Sequence, residues 1–433
     1  MGITEHLVEL CSTVHGGPLT DPALDVMRLS VLDWAAVAIA GRAEPVARII
    51  AEVEMQNGGA AQASVVGRTT RLPMRGAAMV NGTAAHALDF DDTHFAHIGH
   101  PSAVIVSAVL AMAEHADAQA DAFLRAALVG AEATVRVGVW LGRTHYEAGF
   151  HQTATAGMIG AAVAGAALFE LDAVQTRSAI GLAATRAAGL KLQFGTMGKP
   201  YHAGMAAAGA VEAVHAAKLG LDGAQEVLDG PFGFGANHHG AGDMSAFAST
   251  EFLFAQVSHK FHACCHGTHA AIEALIDLRP DCAPEHVRSV EITVHPRWFD
   301  VCNIASPQTR LEAKFSLRLT AALALMGRAM TSDLAFEPSV ILAPDVVALR
   351  DCVTVLGDEA LRDTQARVRV TTRDGMLEAE HDLAVPAPFA ARLMRVQEKA
   401  EALIGRALAD EIWSALSAGA TVDIPALTAA LRQ

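Results

Sequence analysis

Residues 153–167 read TATAGMIGAAVAGAA, a helical segment with alanine or glycine on almost every face. A helix that is apolar all round belongs in an interior, and its small side chains let neighbouring helices approach closely. The rest of the chain agrees. Hydrophobic residues make up 52% of the 433 positions, charged residues 18% and aromatics only 5%. The core must therefore be built from Ala, Leu, Val and Gly, and little of the chain can be disordered. A single core seldom grows to this length, so two domains are expected. So apolar and lightly charged a chain is also expected to bury part of its surface in an oligomer, most simply a two-fold homodimer.

From residue 2 to about 255 the apolar spacing is helical almost throughout, with helices predicted at 22–40, 101–116, 121–141, 151–169, 172–188 and 200–218. Asp21-Pro22, His100-Pro101 and Asp172 supply start signals. Near residue 256 the pattern changes. VRSVEITVHP (287–296) alternates as a strand, and ARVRVTTRDGMLEAEH (366–381) reads as a hairpin turning at Arg373-Asp374-Gly375. Helices at about 268–278 and 311–327 accompany these strands. Beyond Pro386 and Pro388 the helical pattern returns at 390–405, 409–418 and 424–432. The fold expected is mainly α: a large all-helical domain from both chain ends (1–255 with 389–433) and an inserted, smaller α+β lid domain (256–388).

A formal net charge of −15 argues against nucleic acid or an anionic membrane as partner, because both demand a basic surface. It leaves room for a small anionic substrate, since a few cations in a cleft set the local field. MGITEHLVELCSTVHGG, at the N-terminus, has acidic residues and no basic region, so it reads as a helix and not as a signal peptide. The most apolar run, GMIGAAVAGAALF (157–169), is too short for a membrane span. Six cysteines are too sparse for a disulfide framework, and cytoplasmic thiols are expected.

Four polar clusters interrupt the alanine background: ALDFDDTHFAHIGHPSA (87–103), RTHYEAGFHQTATAG (143–157), FGTMGKPYHAGMAAAGA (194–210) and HKFHACCHGTHAAIEA (259–274). Each has an ordinary structural reading. Asp91 or Asp92 caps a helix, His94 and His97 are solvated loop residues, His151 and Thr153 begin a helix, Gly198 and Pro200 shape a turn, and Cys264-Cys265 fill a core. Together they say more. All four lie at or just before helix N-termini, where free N–H groups favour an anion. Both tyrosines of the chain, Tyr146 and Tyr201, fall inside them. Lys199, at a helix start, opposes the helix dipole by some tenths of a kcal/mol, a conflict that a bound carboxylate would relieve.

No metal is expected. His262, His266 and His269 lie at i, i+4 and i+7 with Cys264 and Cys265 among them, but adjacent cysteines chelate poorly and no CxxC or HExxH spacing occurs. Asp89-x-Asp91-Asp92 lacks the second acidic motif of a magnesium-dependent all-α isoprenoid synthase. GPFGFGANHHGAG (230–242) lacks the lysine and helix start of a phosphate loop.

In this order the clusters resemble the 2-methylcitrate dehydratase (MmgE/PrpD) family over essentially the whole chain: ALDFDDTH…HPSA, GFHQTATAG, GTMGKPYHAG, GFG, KFHACCHGTHAAIEA and EAKFSLRLTAA. The resemblance implies a large helical domain with a small α+β lid, a homodimer, and a cofactor-independent site in the cleft between domains. It also implies activity on short di- or tricarboxylates: dehydration of 2-methylcitrate, decarboxylation of cis-aconitate or epimerisation of iminodisuccinate. Asp89, Thr93, His100, His151 and Lys199 fall on the family's active-site positions, with Tyr201 and His202 close by and Cys265 and His266 on the substrate-binding side. Decarboxylase-type members carry a histidine at or beside Cys265 and a tyrosine where Leu319 stands.

The chemistry shared by such reactions makes or breaks a bond next to a carboxylate, which needs a cation as enolate character develops. Lys199 suits that role. His100 suits the base, oriented by Asp89. His151 serves as the acid for a leaving hydroxyl or as the second base of an epimerase, and Thr93 positions substrate. The activity expected is a dehydratase-like lyase. An epimerase of a substituted succinate, a cis-aconitate-type decarboxylase and an inactive binding relative are the alternatives.

Overall fold

The computed structural model describes residues 2–13, 21–118, 120–417 and 422–433. The chain divides into two compact units, Met1–His259 with Pro388–Gln433, and Lys260–Ala387. The fold is mainly α.

In the larger unit the helices are α1 (Ile3–Ser12), α2 (Asp21–Gly41), α3 (Pro45–Asn57), α4 (Met74–His86), α5 (Pro101–Ala116), α6 (Ala120–Glu147), α7 (Gln152–Leu168), α8 (Ala173–Arg186) and α9 (Gly198–Lys218). Helices Phe389–Ile404, Arg406–Leu416 and Ile424–Leu431 follow from the C-terminal end. Residues 1 and 14–17 of the expected N-terminal helix, and residue 418 of the expected helix 409–418, lie outside the described residues. α6 outruns its expected end at 141 by continuing past Gly142, whose φ of 67° kinks it. α8 opens with a capping box between Asp172 and Gln175. None of the described helices is long and apolar enough to cross a membrane.

The small residues have the effect that the sequence suggests. Every residue of α7 is buried. A Cβ placed on Gly160 would fall 2.0 Å from Thr134 Oγ1 and 2.5 Å from the Gly130 carbonyl of α6. A Cβ on Gly204 of α9 would fall 2.2 Å from Thr83 Oγ1 and 2.3 Å from the Met79 carbonyl of α4, and one on Gly82 would lie 3.0 Å from the Gly204 Cα. α4 and α9 thus cross backbone against backbone. The crossing brings the last turn of α4, with His86, to the first turn of α9, with Lys199 and His202.

The smaller unit holds a four-stranded sheet in the order Val353–Gly357, Val287–Val294, Gln365–Thr372, Met376–Asp382, the first pair parallel and the others antiparallel. Val290, Ile292 and Val294 are its buried alternate residues, and Gly375 makes the hairpin turn at a φ of 151°. Helices His266–Leu278 and Leu317–Leu325 belong to this unit. The single helix expected over 311–327 is instead a capped turn, Arg310–Ala313, and a separate helix that Ser316 caps through the Leu319 N–H. The strand Val353–Gly357 was not among the expectations.

Candidate active site

The loop between α4 and α5 folds tightly. The His94 N–H donates to the Gly99 carbonyl and the Ile98 N–H to the His94 carbonyl. Asp89 and Ile98 adopt φ values of 52° and 57°. That left-handed region tolerates aspartate but is strained for a β-branched residue such as Ile98. The tight turn carries polar side chains inward. His94 and His97 are not solvated loop residues: both are buried, and His94 Nε2 bonds the Leu253 carbonyl at 3.0 Å.

His100 and His151 are the N-caps of α5 and α7, and neither spends its side chain on capping. Asp92 takes over the capping role at α5. Its carboxylate accepts the Ser102 N–H at 3.2 Å and the Ser102 hydroxyl at 2.5 Å. The freed imidazoles turn toward a buried cluster. His100 Nε2 lies 3.3 Å from Asp89 Oδ1, and its Nδ1 lies 3.2 Å from Asp91 Oδ2. The ring is therefore flanked by two carboxylates, of which Asp91 is buried and Asp89 is partly exposed. The sequence reading gave the orienting role to Asp89 alone.

Lys199 faces this cluster. Its Nζ lies 2.6 Å from Asp89 Oδ1 and 5.4 Å from the centre of the Phe194 ring, whose edge meets His151 at 4.9 Å between ring centres. The conflict of its charge with the first turn of α9 is offset by a carboxylate of the protein itself. His151 Nδ1 lies 3.2 Å from His202 Nδ1. His86 completes the group, edge-to-face with His100 at 4.5 Å, stacked on His151 at 5.7 Å, and bonded through Nδ1 to Asp91 at 2.9 Å.

Asp89, His100, His151, Lys199 and His202 thus come together. Thr93 is buried in the same loop, paired with Ser258 through both backbone groups and through its hydroxyl at 3.4 Å. Tyr201 is exposed on α9. Cys265 and His266 begin helix His266–Leu278 of the smaller unit. The Cys265 N–H donates to the Lys314 carbonyl at 2.9 Å, and the His266 ring meets His269 edge-to-face at 4.8 Å. Leu319 is fully buried. His86 is not among the candidate site residues of the sequence, and Asp91, offered there only as a candidate helix cap, meets His86 and His100 while Asp92 does the capping. The available signal was a histidine in the final turn of a helix leading straight into the aspartate-rich loop.

Burial dominates the proton chemistry. It pushes His100 down to about 4 against the opposing pull of Asp91. His151 falls well below the usual imidazole range through burial, His86 and Lys199. Burial would raise the Asp91 carboxyl, but His100 and His86 outweigh it and hold the group ionised. Both imidazoles are therefore neutral acceptors at neutral pH, beside an ammonium and an ionised carboxylate.

His86, Asp89, Asp91 and His100 each offer one donor atom within 4.8 Å of the others. These atoms are already engaged with one another and with the Lys199 ammonium. The set is a buried network of imidazoles and carboxylates with a cation in contact, and we do not assign it as metal ligands.

The MmgE/PrpD N-terminal domain matches residues 5–246, and the MmgE/PrpD C-terminal domain matches residues 262–412. The chain belongs to the MmgE/PrpD family. Human cis-aconitate decarboxylase is 32% identical over 241 residues, covering 52% of this chain and 48% of that protein. The mouse enzyme is 27% identical over 354 residues, 76% of this chain and 70% of that one. A cis-aconitate decarboxylase-like protein of Aspergillus oryzae is 29% identical over 297 residues, 63% and 61% of the two chains. The match to the human relative thus spans about half of its length.

Proposed function

We propose that this MmgE/PrpD protein is a lyase that breaks a bond next to a carboxylate of a small di- or tricarboxylate, dehydrating a substrate such as 2-methylcitrate. The observation that carries this reading is the cluster in which Lys199, Asp89, His100 and Asp91 follow one another at 2.6, 3.3 and 3.2 Å, with His151 beside it.

A ligand carboxylate competes with Asp89 for the Lys199 ammonium, which then stabilises enolate character as the adjacent C–H or C–C bond weakens. Neutral His100 takes the α-proton at Nε2, and the ionised Asp91 stabilises the imidazolium so formed. His151, neutral before binding, gains proton affinity from the incoming anionic charges and can deliver a proton to a departing hydroxyl. Thr93, Tyr201, His202, Cys265 and His266 remain the proposed substrate-binding residues. The enzyme is proposed to act without a cofactor and as a homodimer, the latter checked by light scattering in solution.

Decarboxylation of cis-aconitate is the second reading, favoured by the names of the relatives. The buried Leu319, where the resemblance places a tyrosine in decarboxylases, weighs toward dehydration. A panel of 2-methylcitrate, citrate, cis-aconitate and substituted succinates, followed by NMR in D2O, separates loss of water, loss of CO2 and inversion of a centre. No product and no α-proton exchange with any of them would overturn the proposal.

A further inference from the structure

Two imidazoles share one carboxylate in this site, and they do not share it equally. His86 Nδ1 lies 3.0 and 2.9 Å from the two oxygens of Asp91 in hydrogen-bonding geometry. An ionised carboxylate can only accept, so this nitrogen carries the proton and donates it. His100 Nδ1 lies 3.2 Å from the same Oδ2, a contact without a well-directed hydrogen bond. The rings stand edge-to-face at 4.5 Å, and both side chains are buried. A carboxylate that already takes a full N–H bond from one ring polarises the second ring less, because both draw on the same negative charge.

The surroundings fix this arrangement. His86 comes from the last turn of α4, Asp89 and Asp91 from the following loop, His97 and His100 from the end of that loop, His151 from the start of α7, and Lys199 and His202 from the first turn of α9. Lys199 and the imidazoles oppose a positive charge on His100, and the two carboxylates favour it.

We propose that His86 is a positioning residue: through its Nδ1–H it claims the Asp91 carboxylate and so limits how readily His100 takes up a proton. It acts through Asp91 and need not touch a ligand. The proposal takes from the functional reading that His100 moves a proton in turnover, but the competition for Asp91 stands without it.

The test uses the full chain with isotope-labelled histidine, following the His100 ring nitrogens by NMR across pH, with His100→Gln to assign the signal. His86→Phe keeps a packed ring and removes the N–H. Asp91 then turns wholly to His100, and the His100 titration midpoint rises by about one pH unit, a tenfold gain in proton affinity. His86→Asn keeps an N–H near the Nδ1 position and leaves the midpoint within about twofold of the wild type in proton affinity. His86→Gln, whose amide reaches past that position, behaves like the phenylalanine variant and serves if that one does not fold. Equal midpoints in wild type and whichever of these two variants folds would overturn the proposal, as would equal shifts in that variant and His86→Asn, the mark of a ring that only packs. On a substrate found by the panel, the acid limb of kcat/KM moves to higher pH in the same variant. If the panel yields no substrate the functional reading fails, and the NMR result still decides this one.

Discussion

Lys399 and Asp33 stand 366 positions apart in the sequence, yet Lys399 Nζ lies 2.5 Å from Asp33 Oδ1 and equally close to the Phe90 carbonyl, with its charge 3.9 Å from the centre of the Phe90 ring. Lysine and aspartate are both buried, so the C-terminal helix Phe389–Ile404 holds from beneath the loop that carries Asp89 and Asp91. Arg392 of the same helix donates to the Ala255 and Val257 carbonyls, next to the segment that pairs with Thr93. Lys399→Met would leave Asp33 buried without its cation and facing Asp92. The expected loss is about 3–5 kcal/mol of stability, read from denaturant unfolding.

Lys199→Ala should separate catalysis from folding. The ammonium sits in the first turn of α9, where a cation is slightly unfavourable, so its removal leaves stability within about 1 kcal/mol of the wild type. Its partner Asp89 is partly exposed and stays hydrated. Turnover on a panel substrate should fall by about 10²-fold or more, as when one preorganised group is taken from a developing oxyanion. Retained turnover would remove Lys199 from the mechanism.

Gly204→Ala tests the crossing that assembles the site. The new methyl would meet a backbone carbonyl at 2.3 Å and a hydroxyl at 2.2 Å, both on α4. The hydroxyl is a side-chain atom and can rotate away, but the Met79 carbonyl cannot move without moving the helix. The expected cost is about 1–3 kcal/mol in a melting or denaturant experiment, and turnover should fall with it as His86 and Lys199 separate. An unchanged protein would show that α4 and α9 need not cross so closely.

Helices with strong periodicity and start signals could be read directly: Pro101–Ala116 has the expected ends, and Asp172 caps where its side chain predicts. The convergence of Asp89, His100, His151 and Lys199 could be anticipated because each belongs to a polar cluster in an apolar background. The roles of Asp91 and His86 were hidden, because which of several adjacent aspartates faces an imidazole depends on the left-handed turn at Asp89. His94 and His97 looked like loop residues because a loop is usually wet, and only the fold of residues 89–100 turns them inward. The Lys399–Asp33 pair joins α2, which is buried on nearly every face, to the amphipathic helix Phe389–Ile404, and nothing in either segment says which distant charge the other meets.

Buried imidazoles also set the response to acid. His94 and His100 are lowered by burial to about 4, and burial pushes His97, His151 and His259 well below the ordinary range. In the unfolded chain each takes up a proton near pH 6.5. Between about 6.5 and 4 the unfolded state therefore binds more protons than the native one, and stability falls as pH falls, by about 1.4 kcal/mol per pH unit for each such histidine. Asp92, raised to about 7 by burial and by Asp33, works in the opposite sense over this range, as does the raised Asp33, but the histidines outnumber them. The urea midpoint should be flat from pH 8 to 7 and drop steeply below about 6.5, well above the range where ordinary carboxylates titrate. His97→Leu, removing one buried imidazole, should make that drop shallower. A midpoint that stays level down to pH 5 would show that these rings are charged or hydrated in the native protein.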